Sequence, residues 1–117
     1  MSAAAFKERL RSDLKASLQA RDSGTVALLR TLIAALDNAE AVDLPGGYKY
    51  RPREFGDASG EVARRVLDAE AIDAVLAAER ASRLAAAADY ERHGRAEDAA
   101  RLRAEAALIE SYADSAA

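Results

Sequence analysis

The sequence predicts an all-α fold, an antiparallel four-helix domain with a long irregular loop between its second and third helices. Three observations predict it. Apolar residues recur at three- and four-residue spacing in four separate stretches, the pattern of helices that bury one face. Alanine, the best intrinsic helix former, supplies 31 of the 117 residues, against 28 for Leu, Ile, Val, Phe, Met and Tyr together. Both prolines and four of the six glycines fall between Ala41 and Gly60, so one stretch breaks the helical pattern.

The first helix is placed at about 6–20, where Phe6, Leu10, Leu14 and Leu18 repeat every four residues as one buried face. Arg21-Asp22-Ser23-Gly24 interrupts it, with Asp22 suited to cap the next helix; so short a break implies an antiparallel neighbour. The second helix, about 23–41, carries Val26, Leu29, Ile33, Leu36 and Glu40 in one row and Leu28, Leu32, Ala35 and Ala39 beside it. At 100° per residue the rows cover about half the circumference, so this helix is expected at the centre. Arg30 and Asp37 border the apolar arc and Asn38 lies further round, which makes them candidates for polar contacts between helices.

Residues 42–60 read as the loop. Its middle, Tyr48-Lys49-Tyr50-Arg51-Pro52-Arg53-Glu54-Phe55, interleaves three aromatics with three cations. Base stacking combined with phosphate pairing uses this mixture, so Tyr48, Lys49, Tyr50, Arg51 and Arg53 are the nucleic-acid candidates. The same aromatics would equally serve to cover the end of a thin helical core, or to form a short extended segment. The third helix is placed at about 61–93, with Ser59 or Asp68 as alternative N-caps. Glu79 and Arg83 fall within its apolar stripe in the favourable i, i+4 order, worth about 0.2 to 0.5 kcal/mol on an exposed helix. If partly buried, they would mainly fix which helix packs where. Gly94 suits the left-handed position that ends a helix, and the fourth helix, about 96–112, folds back on the third through Ala99, Leu102, Ala106 and Ile109.

The formal charge of −3 gives no global attraction to polyanions, so any nucleic-acid contact must come from a local patch. There is no cysteine, hence no disulfide framework and no thiolate nucleophile. His93, the single histidine, has no partner of metal-ligand spacing, and neither a metal nor a cofactor is expected. No apolar run approaches the roughly 18 residues needed to span a bilayer, and the N-terminus lacks signal-peptide character; a cytoplasmic protein without membrane contact is expected. The thin Ala-rich core leaves room for completion by a protein partner or a second copy of the chain.

Leu10, Asp13 and Leu14, then Ala20-Arg21-Asp22, Leu29-Arg30, Leu32 and the run Ala34 to Glu40, are followed by Glu70, Val75-Leu76, Glu79, Tyr90, Gly94-Arg95, Glu105, Ile109, Glu110 and Tyr112. In order and separation these blocks resemble the YqeY-like (GatB/YqeY) family, small proteins related to the tail domain of GatB, a subunit of the tRNA-dependent amidotransferases. The resemblance implies a link to amidation of mischarged aminoacyl-tRNA, a carbon–nitrogen ligation with glutamine as amide donor. In that system the GatB tail handles tRNA while other domains carry the chemistry. Members of the family continue past the tyrosine through Leu-Pro into a second helical bundle, so the resemblance implies the N-terminal helical part alone. No amidase Ser-Ser-Lys arrangement or phosphate loop is present in the sequence, and no catalytic residue is assigned. The expectation is an accessory domain with tRNA as partner; the alternative is a helical interaction or self-association module.

Overall fold

The computed structural model describes residues 2–41 and 66–116. They form four α-helices: α1 (Ala3–Gln19), α2 (Ser23–Glu40), α3 (Ala69–Arg92) and α4 (Ala96–Ala116). The chain is an all-helical four-helix domain with a long connection between α2 and α3, and no strand runs through the described residues. α1 with α2 and α3 with α4 are two hairpins, and together they span 55 × 31 × 27 Å.

The core lies where the open ends of the hairpins meet. Phe6 and Leu10 from the start of α1 form one buried cluster with Leu28, Leu29, Leu32 and Leu36 of α2. Ile72 and Leu76 from the start of α3, and Ile109 and Tyr112 from the end of α4, complete it. α2 contributes five buried residues, in keeping with its wide apolar arc. Away from this middle the second hairpin closes on small side chains, Ala87 against the helix that carries Ala99 and Ala106, all three buried. Alanine at these positions lets the helix axes approach closely.

Two expected boundaries move by more than one turn, and one side chain expected in the core is exposed. The third helix begins at Ala69, not near residue 61: Val66 to Asp68 are not helical, and the Asp68 carboxylate accepts the Ala71 amide at 2.8 Å. Leu67, just ahead of that cap, is buried in the same cluster as Ile72, so a hydrophobic staple fixes the start alongside the cap. The fourth helix continues beyond Tyr112 to Ala116. Leu18, expected on the buried face of the first helix, is 49% exposed. A four-residue repeat drifts about 40° per step against the 3.6-residue turn, so Leu18, three steps on, lies about 120° around the helix from Phe6.

Candidate functional site

Both hairpins turn on the same backbone motif. At the end of α1 the Asp22 amide donates to the Ser17 carbonyl at 3.0 Å and the Arg21 amide to Leu18 at 3.2 Å. At the end of α3 the Arg95 amide donates to Tyr90 at 2.8 Å and the Gly94 amide to Glu91 at 3.0 Å. These are paired Schellman bonds, which place the residue after the C-cap in the left-handed region. Gly94 takes φ +74 there, as glycine does without a Cβ clash, but in the first turn the position is held by Arg21 at φ +57. A left-handed non-glycine residue costs roughly 1–2 kcal/mol.

The first turn forms one side of an open cavity of about 370 Å³ lined by Leu18, Arg21, Ser23, Val26, Ala27 and Arg30. Asp22, next to Arg21 in the chain, is engaged: its carboxylate accepts the Thr25 hydroxyl at 2.7 Å and the Thr25 amide at 3.2 Å. These bonds, the hydroxyl's above all, hold the Asp22 carboxyl below its ordinary 3.8. Arg21 and Arg30 are exposed, as is Lys15 on α1, and among the described residues none of the three has an acidic partner.

The second turn is neutralised. Its cavity, about 470 Å³, is lined by Ala86, Asp89, Tyr90, His93 and Arg95. Arg95 donates to Asp98 at 2.8 Å and stacks over the Tyr90 ring at 5.3 Å, while Arg92 pairs with Asp89. His93 Nδ1 donates to the Asp89 carbonyl at 2.7 Å. All six arginines of the second hairpin have acidic partners; besides Arg92 and Arg95, Arg80 meets Glu110, Arg83 meets Glu79, Arg101 meets Asp98 and Arg103 meets Glu91. Residues 2–41 carry six cations against five acids, whereas residues 66–116 carry six against eleven.

Of the interhelix polar candidates, Asp37 accepts from Lys7 on α1 at 3.1 Å. The Lys7 ammonium also lies 2.6 Å from Glu40, and its side chain is largely withdrawn from solvent. The bond to Glu40, reinforced by Asp37 and opposed by burial, raises Lys7 above its ordinary 10.5. Arg83 donates to the Glu79 carboxylate at 2.6 Å within α3 and reaches toward Glu105 of α4, with Nε at 3.9 Å. Asn38 and Arg30 are exposed on α2, and Arg30 belongs to the first-turn cavity. Tyr48, Lys49, Tyr50, Arg51 and Arg53 lie outside the described residues.

Two contacts escaped sequence reasoning. The Tyr112 hydroxyl donates to Asp13 at 2.5 Å, joining the last helix to the first. Phe6 meets the Tyr112 ring edge-on at 6.2 Å, and Arg9 lies over it at 5.1 Å. Burial first, then the Asp13 carboxylate, pushes the phenol above its ordinary 10.0. Glu40 as the partner of Lys7 had a visible signal, since it occupies a place in the apolar row of α2. Nothing local marks Asp13 for Tyr112.

Among the described residues no group of three His, Cys, Asp or Glu side chains is arranged to hold a metal. No helix among them is long and apolar enough to cross a membrane. Set against protein-family models, curated proteins and solved structures, the chain matches none.

Proposed function

We propose that this chain is a non-catalytic accessory domain that associates with tRNA. On this reading it is a helical module of the YqeY-like type serving a tRNA-dependent amidotransferase whose chemistry lies in other domains. The observation that carries the nucleic-acid part is the uneven neutralisation of cations. Among the described residues Lys15, Arg21 and Arg30 of the first hairpin have no acidic partner, while every arginine of the second is paired. Cations already surrounded by water and mobile counterions gain from a polyanion by counterion release; cations bound to carboxylates must first give those up. The acidic excess of the second hairpin would turn it away from RNA, favouring approach through the first turn. Lys49, Arg51 and Arg53, interleaved with Tyr48 and Tyr50, supply the further contact that the loop's composition suggests.

The test is binding of labelled total tRNA at 50 and 200 mM salt, for the wild type and a Lys49/Arg51/Arg53 to Ala variant. Binding that weakens steeply with salt is expected, and a variant with wild-type affinity and salt dependence removes the loop from the contact. A wild type that does not bind at 50 mM overturns the reading. A second reading, self-association, is favoured by Leu84, 39% exposed on α3. Light scattering that gives one monomeric mass over a hundredfold concentration range would dispose of it.

A further inference from the structure

We propose that the first-turn cavity is the seat of a single RNA strand, with Arg21 and Arg30 each on one of its phosphates and the stretch of strand between those phosphates against Leu18 and Val26. This rests on the tRNA-association reading and assigns the contact to a place.

Four observations converge on that cavity. Its volume of about 370 Å³ falls at the lower end of the roughly 300–1,000 Å³ usual for small-ligand sites, enough for a nucleotide but not for a folded partner. Its cations are Arg21 and Arg30, both exposed and both without acidic partners among the described residues. Its floor is apolar, made by the half-exposed Leu18 and by Val26. That floor suits the ribose or base face between two charged groups better than a purely electrostatic contact would. Arg21 also holds a left-handed backbone conformation at φ +57, in the position where the other hairpin uses glycine. A strained residue persists where the surroundings over-determine it or where its side chain is needed. Here the side chain makes no ion pair among the described residues, and it lines the cavity.

The spacing fits a strand. Arg30 lies seven residues beyond Ser23, about 10 Å along the helix axis at a rise of about 1.5 Å per residue. Successive phosphates of one nucleic-acid strand advance by about 3.4 Å along a stacked helix. That span is about three such steps, so the two guanidinium groups, each on a long flexible side chain, can engage phosphates up to three steps apart on one strand, and a guanidinium plane can also stack on an unpaired base. Asp22 does not block the site, because both of its carboxylate oxygens are turned to Thr25.

The experiment measures affinity of the full chain for labelled total tRNA across a salt series, with variants Arg21→Asn and Arg30→Gln and thermal melting of each. Asparagine accepts the left-handed conformation, so Arg21→Asn removes the charge while leaving the turn intact. Each variant is expected to bind about five- to tenfold more weakly at 50 mM salt. Each should also flatten the slope of log K against log salt by about 0.7, the value for one single-strand phosphate contact. Melting should be unchanged for Arg30→Gln and unchanged or higher for Arg21→Asn. If the wild type binds and both variants match it in affinity and slope, the cavity is not the seat and tRNA association stands by other residues. If only Arg21→Asn weakens binding and its melting falls in parallel, Arg21 is structural, and the unaffected Arg30→Gln overturns the proposal. A wild type that fails to bind removes this proposal together with the reading beneath it.

Discussion

The two hairpin turns carry out the same backbone reversal with opposite side-chain chemistry. Each ends its first helix with paired Schellman bonds, and the residue after the left-handed one, Asp22 in the first and Arg95 in the second, already accepts the first hydrogen bond of the next helix. In the second turn the left-handed residue is Gly94, for which a Cβ would meet nothing within 4 Å, and the neighbouring charges are closed into pairs. In the first turn the left-handed residue is an arginine whose charge meets no acid among the described residues. The second turn follows the usual stability rules throughout. The first departs from them at one residue, and departures of this kind concentrate where a chain meets something else.

The largest expected effect tests whether the two hairpins are one folding unit. Leu29→Ala removes a fully buried side chain from the shared cluster and should cost about 2–5 kcal/mol. Circular dichroism, which reads all four helices, and tyrosine absorbance, to which the contact of Tyr112 with α1 contributes, should then lose their signals in one transition at a lower temperature. Two separated transitions would show that the hairpins fold independently. Next in size is the exchange of turn chemistry. Gly94→Ala should destabilise by roughly 1–2 kcal/mol through backbone strain alone, since there is no clash to add. Arg21→Gly relieves the same strain but takes on the extra chain entropy of glycine, for a net gain of up to about 1 kcal/mol, or roughly 3–5 °C in melting temperature. If Arg21→Gly melts lower than the wild type, the arginine supports the turn and the contrast between the turns fails.

The smallest effect is a pH dependence that separates the middle of the molecule from its first turn. Lys7 and Tyr112 both have raised values. Their contributions are complete below the ordinary 10.5 and 10.0 and are lost as pH rises through the higher folded values. Asp22 has a lowered value, so its contribution is complete above 3.8 and is lost as pH falls through the folded value. Urea midpoints should therefore hold between about pH 5 and 9 and fall on both sides. Tyr112→Phe should lessen the alkaline fall, and Asp22→Ala should lessen the acid one. An alkaline limb unchanged in Tyr112→Phe would rule out the phenol as its source.

Helix number, order and the antiparallel pairing were legible because each rests on local information. The caps at Asp22 and Asp68, the glycine at 94 and the phase of Leu29, Leu32 and Leu36 are of this kind. A strict four-residue repeat groups Leu18 with Phe6, yet it drifts about 40° per step, and over three steps that carries Leu18 off the buried face. The start of α3 stayed open between Ser59 and Asp68 because capping preference alone does not choose between two good caps. Leu67, packed with Ile72, supplies the distinction in three dimensions. The candidate site was legible only in part: Arg21 and Arg30 could be seen as cations, but their lack of partners depends on where every acid ends up. The positive φ of Arg21 has no sequence signal, since the residue type argues against it.

The bond from Tyr112 to Asp13 joins positions 99 residues apart, while each hairpin is built from contacts between near neighbours in sequence. Local contacts form early and cost little loop entropy; a closure of that length comes after the chain has committed. The phenol therefore acts on the lifetime of the folded state more than on the speed of reaching it. It is a latch on escape: whatever loosens it shortens the time for which the two turns are held in fixed relation, without slowing their assembly.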